Sequence, residues 1–116
     1  MLQPDCLFCK IIDGKIPAAV VHRDADLLAF NDIKPCAPLH LLVIPTDHIA
    51  SLADGEAGHD ALFGKLMLTG AALAKKAGFG DTGFRVVMNS GPDAGQSVHH
   101  VHLHVLGGRP LAWPPG

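Results

Sequence analysis

No apolar run in this chain of 116 residues approaches the roughly 20 residues that a membrane-spanning helix needs, so no segment reads as a span. Charge is also scarce. Asp, Glu, Lys and Arg make up 17% of the residues, and the net charge is −2 with histidines neutral. That balance excludes binding nucleic acid through a broad basic face. Cysteine occurs three times, an odd number that does not make a disulfide framework. The start, Met1-Leu2-Gln3-Pro4-Asp5, lacks a basic region followed by an apolar one, so no secretory signal is expected. A reducing cytoplasm is the expected location, with neither nucleic acid nor membrane as partner. What is present is globular. Hydrophobic residues reach 48%, and residues 1–116 contain no repeat, low-complexity tract or linker, which predicts one domain.

The most informative stretch is His100-Val101-His102-Leu103-His104-Val105-Leu106. Histidine alternates with apolar residues at the period of a half-buried β-strand. The expectation is that His100, His102 and His104 share one face while Val101, Leu103 and Val105 enter the core. His99 falls on the opposite face. Three imidazoles add nothing by packing; they attack, exchange protons or bind metal near neutral pH.

The remaining elements are predicted from periodicity and punctuation. Residues 6–13 read as a short helix with Asp5 as N-cap and Gly14 as its stop. Residues 19–22 and 27–31 read as strands joined by an Asp24-Ala25-Asp26 turn. Residues 39–44 form a β-branched and apolar run that Pro45 ends. Residues 57–76 form the main helix, with Leu62, Phe63, Leu66, Met67, Leu73 and Ala74 as its apolar stripe. Residues 84–89 and 99–106 complete an antiparallel sheet of about five strands. The fold class is α+β.

Ser90 to Ser97 is a loop of small polar residues running into the histidine strand. Such residues let backbone N–H groups close on an anion, so the loop is a candidate phosphate nest, with the Ser97 hydroxyl as a further donor. Three aligned histidines then serve one of two chemistries. One neutral imidazole can attack phosphorus while its neighbours donate to the phosphoryl oxygens. Alternatively, the three ligate a hydrolytic metal. The flanking loop favours the first.

The cysteines raise a separate question. Cys6 and Cys9 have the two-residue gap that lets both thiolates reach one tetrahedral ion, and His48 with His100 would complete a Cys2His2 site. Redox or inert thiols share that spacing. Any zinc there is expected to be structural rather than catalytic, fixing the chain beside His102. Cys36 reads as a small buried residue; His22, His59 and His99 read as surface or turn residues.

The run from Gly95 to Val105 resembles the signature of the histidine-triad (HIT) superfamily. The resemblance extends through Phe30-Asn31-Asp32-Ile33, Pro38-Leu39-His40, Val43-Ile44-Pro45 and Met88-Asn89, and so covers essentially the whole chain. The tail, Leu106-Gly107-Gly108-Arg109-Pro110 with Trp113-Pro114-Pro115-Gly116, is similar to the Hint branch, the histidine-triad nucleotide-binding proteins. Galactose-1-phosphate uridylyltransferases usually carry glutamine where this chain has His104, which favours hydrolysis over transfer to a sugar phosphate.

The resemblance implies a HIT-like fold that pairs into a homodimer with a continuous sheet. It implies a purine nucleoside phosphoramidase that also cleaves acyl-nucleotides through a nucleotidyl-histidine, with no cofactor for catalysis and a purine nucleotide as ligand. Some relatives bind a structural zinc through the Cys6, Cys9, His48 and His100 positions. By the same resemblance His102 is the nucleophile. His100 and His104 orient it and contact phosphate oxygens, Ser97 sits near the leaving group, and His40 supports the nucleophile. Asn89, Gly95 and Val98 match phosphate-loop contacts. Asp32 matches the carboxylate on the ribose hydroxyls, with Ile33 beside it. Phe8, Ile16 and Phe30 match the purine slot, and Trp113 reaches the partner subunit's site. The competing readings are a dinucleoside polyphosphate hydrolase, a nucleotide-binding scaffold with incidental turnover, and a zinc-centred enzyme.

Overall fold

A computed structural model describes residues 2–116. Helix α1 (Leu7–Ile12) precedes strands β1 (Val20–Arg23), β2 (Leu27–Asn31) and β3 (Leu39–Pro45). Two 3-10 turns, Leu52–Asp54 and Ala57–His59, lead into helix α2 (Asp60–Lys76), followed by β4 (Phe84–Val87) and β5 (Leu103–Gly107). The strands form one antiparallel sheet in the order β1-β2-β3-β5-β4. The expected class is therefore observed: five antiparallel strands, one main helix and a short N-terminal helix. Among the described residues no helix is long and apolar enough to cross a membrane.

The sheet is covered on both faces, and the period-2 alternation of each strand divides its residues between two cores. Leu27, Ala29, Leu39, Leu41, Val43, Leu103 and Val105 pack with Leu66 and Ala74 of α2. On the other face, Leu28, Phe30, Leu42 and Ile44 pack with Phe8 and Ile12 of α1. Strand β3 lies between β2 and β5 and is buried along its whole length, which is why its sequence is continuously apolar rather than alternating.

Glycine at position 70 sets the distance between α2 and the sheet. A Cβ there would lie 3.0 Å from Val105 Cγ2 and 3.1 Å from Leu103 Cδ2. The intrinsic helix cost of Gly, about 1 kcal/mol against Ala, is thus tied to close packing. Gly70→Val should lower unfolding free energy by about 1–3 kcal/mol through overpacking, read as a fall in the urea midpoint. An unchanged midpoint would show that the helix has room to move.

Several expected boundaries shift for identifiable reasons. The N-cap of α1 is Cys6, not Asp5: the Cys9 backbone N–H donates to Cys6 Sγ at 3.4 Å. Helix α2 starts at Asp60 rather than 57, because Glu56 and His59 close a reciprocal capping box one turn earlier. Met67 faces outward beside Leu68, which is 74% exposed, so Met67 leaves the predicted apolar stripe. Strand β1 runs from 20 to 23, one residue late, and β4 ends at Val87, before Asn89. Cys36, expected inside, is exposed in the β2–β3 connection.

The largest correction concerns the histidines. Strand β5 begins at Leu103, so His100 and His102 precede it. Pairing of β3 with β5 stops at Val43–Leu103. Beyond it, Val101 N–H donates to Ile49 O at 2.7 Å, away from the ladder. Val101 nevertheless joins the α2-side core with Leu103 and Val105, so the alternation of sides survives the end of the strand.

Candidate active site and metal centre

Hydrogen bonding assigns the proton positions on the histidines. His102 is buried, and its Nδ1–H donates to the main-chain oxygen of His100 at 2.7 Å. A carbonyl only accepts, so the neutral ring keeps its lone pair on Nε2. Phe8 meets the ring edge-on, with centroids 5.1 Å apart, and restricts its rotation.

His104 is fixed through His40. The backbone N–H of Cys36 donates to His40 Nδ1 at 3.0 Å, so neutral His40 carries its proton on Nε2. That Nε2–H donates to His104 Nδ1 at 2.9 Å, which leaves His104 with its proton on Nε2. Asp32 Oδ2 lies 3.4 Å from the same His40 nitrogen. Burial depresses both rings below the usual imidazole range, and His104, beside His102 and His40, falls to about 4. Both are neutral at pH 7. One ring of the pair offers a lone pair and the other an N–H.

These groups open onto a cleft of about 250 Å³. It gathers nine of the predicted residues: Phe8, Ile16, Phe30, Asp32, Ile33, Ser97, Val98, His102 and His104. Phe8 and Phe30 form an edge-to-face pair at 5.6 Å in its apolar wall, and Ile33 stands 91% exposed at its lip. His40 stands behind His104 and contacts that ring, where the resemblance implied support of the nucleophile itself. Asn89 and Gly95 are not in the cleft lining, and Trp113 is 80% exposed on a tail tied to Arg85 through Leu111 O and Ala112 O.

The small-residue loop differs from expectation. Gly91 N–H donates to Gln96 Oε1, Gly95 N–H to Pro92 O and Gln96 N–H to Gly91 O. Those donors are used inside the loop and do not form an anion nest. The loop instead presents Ser97 and Val98 to the cleft. Gln96 is the residue that sequence reasoning missed. It is buried, and its Nε2 donates to Ala50 O at 2.7 Å and Val98 O at 3.0 Å, which holds the loop against the 46–50 turn. Its one sequence signal is being the only long amide in a tract of small residues.

The side chain of His100 leaves the cleft altogether. It is fully buried in a cluster with Cys6, Cys9 and His48, so only its carbonyl serves His102. His100 Nδ1 lies 3.4 Å from Cys6 Sγ, 3.5 Å from Cys9 Sγ and 3.2 Å from His48 Nδ1, and Cys9 Sγ lies 3.4 Å from His48 Nδ1. A tetrahedral zinc separates sulfur from nitrogen by roughly 3.5 Å and nitrogen from nitrogen by roughly 3.3 Å, so the set has the dimensions of a zinc shell. His100 Nε2–H donates to Pro45 O at 2.9 Å, leaving the Nδ1 lone pair turned toward the cluster. Burial holds this ring at about 4, neutral and able to ligate. The four residues fit a structural zinc. Asp32, His40 and His104 also converge, but His40 Nε2 bears a proton and has no lone pair to give. That group is a hydrogen-bonded chain rather than a metal site.

Comparison with known proteins agrees with this arrangement. The chain is 50% identical over 115 residues to an uncharacterized HIT-like protein of Synechococcus elongatus, covering 99% of this chain and 100% of that one. It is 46% identical over 114 residues to a 14 kDa zinc-binding protein of Brassica juncea, covering 97% and 100%. The crystal structure of a HIT family hydrolase from Legionella pneumophila Philadelphia 1 superposes with a TM-score of 0.95 at 47% identity, over 97% of this chain and 100% of that one. The HIT domain family model matches residues 13–111. With the sheet, the paired imidazoles and the thiol-imidazole cluster in place, that match identifies the chain as a member of the HIT domain family.

Proposed function

We propose that this protein is a nucleotide-binding hydrolase of the Hint branch that cleaves the P–N bond of purine nucleoside phosphoramidates and acts likewise on acyl-nucleotides. The observation that carries the reading is the bond from His102 Nδ1–H to the His100 carbonyl, which commits the Nε2 lone pair to attack. His102 Nε2 bonds to the α-phosphorus as the P–N bond breaks, and the departing amine takes a proton delivered through Ser97. Water then attacks phosphorus and the P–Nε2 bond breaks. The mononucleotide leaves and neutral His102 is regenerated. His104 Nε2–H donates to the phosphoryl oxygens, on which negative charge grows in the transition state. Asp32 takes the ribose hydroxyls, Phe8, Ile16 and Phe30 hold the purine, and Ile33 closes over it. Val98 shapes the phosphate end from the cleft wall, and Asn89 and Gly95 support it from outside the lining. Residues 1–116 act as one domain in a cytoplasmic homodimer, its sheets joined and Trp113 reaching the partner's cleft. The exposed tryptophan and the edge position of β4 support that arrangement.

Polyphosphate cleavage is the weaker reading. The cleft adjoins a second, larger one of about 690 Å³, and the two share Leu7, Ser97 and Val98. Gln3, Asp5, Cys6, His48 and His99 complete the larger cleft, so neither cleft is lined by lysine or arginine. A nucleoside polyphosphate leaving there would meet a carboxylate and no cation. An amine or an acyl group needs none. The test is release of AMP from an adenosine phosphoramidate against release from a dinucleoside tetraphosphate. The phosphoramidate should be preferred in kcat/KM by about 100-fold, which corresponds to about 2.7 kcal/mol. No AMP from the phosphoramidate in a folded sample would overturn the assignment.

A further inference from the structure

The proton on His40 is set from outside the cleft. The donor to His40 Nδ1 is a main-chain N–H, that of Cys36, in the exposed connection between β2 and β3. The carbonyl of the same residue accepts from Arg109 Nε at 2.9 Å, and Arg109 Nη1 donates to Pro110 O at 3.1 Å. Arg109 follows β5, the strand that carries His104, by two residues. The chain between them is pressed against the same connection. Gly108 adopts φ +94°, and a Cβ on it would lie 2.8 Å from Pro38 Cβ. A closed circuit therefore runs from His104 on β5 to His40 on β3, through Cys36, and back to Arg109 just past the end of β5.

We propose that Arg109 is a positioning residue: by holding the Cys36 carbonyl it keeps the Cys36 N–H on His40, and so presents His104 Nε2–H to the phosphoryl oxygens. The inference rests on the phosphoramidase reading for its kinetic consequence, though not for its structural one. Without Arg109 the connection is free to withdraw. His40 Nδ1 then loses its donor, and the ring's proton is free to sit on either nitrogen. With the proton on Nδ1, His40 turns a lone pair toward the lone pair of His104 Nδ1. The repulsion is relieved only if His104 moves its own proton to Nδ1, which removes the donor from the cleft. Phe8, Ile16 and Phe30 lie outside the connection, and Asp32 keeps its own anchor, its N–H donating to His40 O at 2.9 Å, so the loss falls on kcat more than on KM.

The experiment compares wild type, Arg109→Ala and Arg109→Lys, all zinc-loaded and labelled with nitrogen-15 in histidine. Ring nitrogens are assigned with His40→Gln and His104→Asn. In Arg109→Ala, the His40 and His104 nitrogen shifts should move toward tautomer averages. kcat on adenosine phosphoramidate should fall about two- to tenfold, the worth of one hydrogen bond, with KM within about twofold. Arg109→Lys keeps one donor for the Cys36 carbonyl and should recover most of both. Nitrogen shifts in Arg109→Ala identical to wild type would overturn the proposal whatever the activity. Shifted nitrogens with unchanged kcat would equally remove Arg109 from catalysis. If wild type turns over no phosphoramidate, the functional reading falls, and the nitrogen spectra alone still uphold or overturn the circuit.

Discussion

Replacing His102 by alanine is expected to lower kcat/KM for AMP release by on the order of 10⁴-fold or more, the scale seen when a covalent nucleophile is deleted. No neighbour can take over the attack. His104 keeps its proton on Nε2 because its Nδ1 accepts from His40, and His100 is turned into the thiol cluster. Nucleotide binding should survive, because the aromatic wall and Asp32 do not depend on the imidazole. AMP affinity by calorimetry is expected within about tenfold of wild type, equivalent to about 1.4 kcal/mol. Residual turnover above a hundredth of wild type would assign the attack to water and demote His102 to a contact.

The second large effect concerns the cluster. Cys6→Ala/Cys9→Ala should take zinc content from one per chain to none, and Tm should fall by about 10 °C or more. Helix α1 has six residues, too few to persist by local hydrogen bonding alone, and both thiols belong to it or its cap. Free zinc at a hundredfold excess over its dissociation constant stabilises the folded state by about 2.7 kcal/mol, enough for a shift of this size in a chain of this length. Chelation of wild type should reproduce the variant's melting temperature. Zinc retained by the double variant, or a wild-type Tm indifferent to both zinc and chelator, would place the metal elsewhere or nowhere.

Much of this was legible in the residues themselves. Alternation in residues 99–106 identified which side chains enter the core, because a side preference persists in extended chain even without a ladder partner. It could not show where the strand starts, since that depends on where β3 ceases to pair. It also could not show that the first histidine of the three faces thiols 91 or more residues away in sequence. The cleft was largely legible through resemblance, and nine of its predicted residues do converge. Periodicity alone would have placed Phe8, Ile16 and Phe30 in the core. Cys36 and Gln96 were opaque for a shared reason: their parts are played by main-chain groups or main-chain partners, which leave no mark on residue type.

The pairing of β3 with β5 has a kinetic consequence. His40 and His104 are 64 residues apart in sequence, and the ladder that joins their strands runs from Leu39–Gly107 to Val43–Leu103. Closing so long a stretch of chain carries an entropic cost before any contact across it is gained, so this pairing is expected to form late in folding. His40 and His104 meet only when that ladder zips. A chain released early, or stalled with β1–β3 formed as a meander, therefore has the apolar slot of Phe8 and Phe30 on one side but lacks the imidazoles that face it. Recovery of turnover after dilution from urea should track the final folding phase rather than the earlier gain of helix signal.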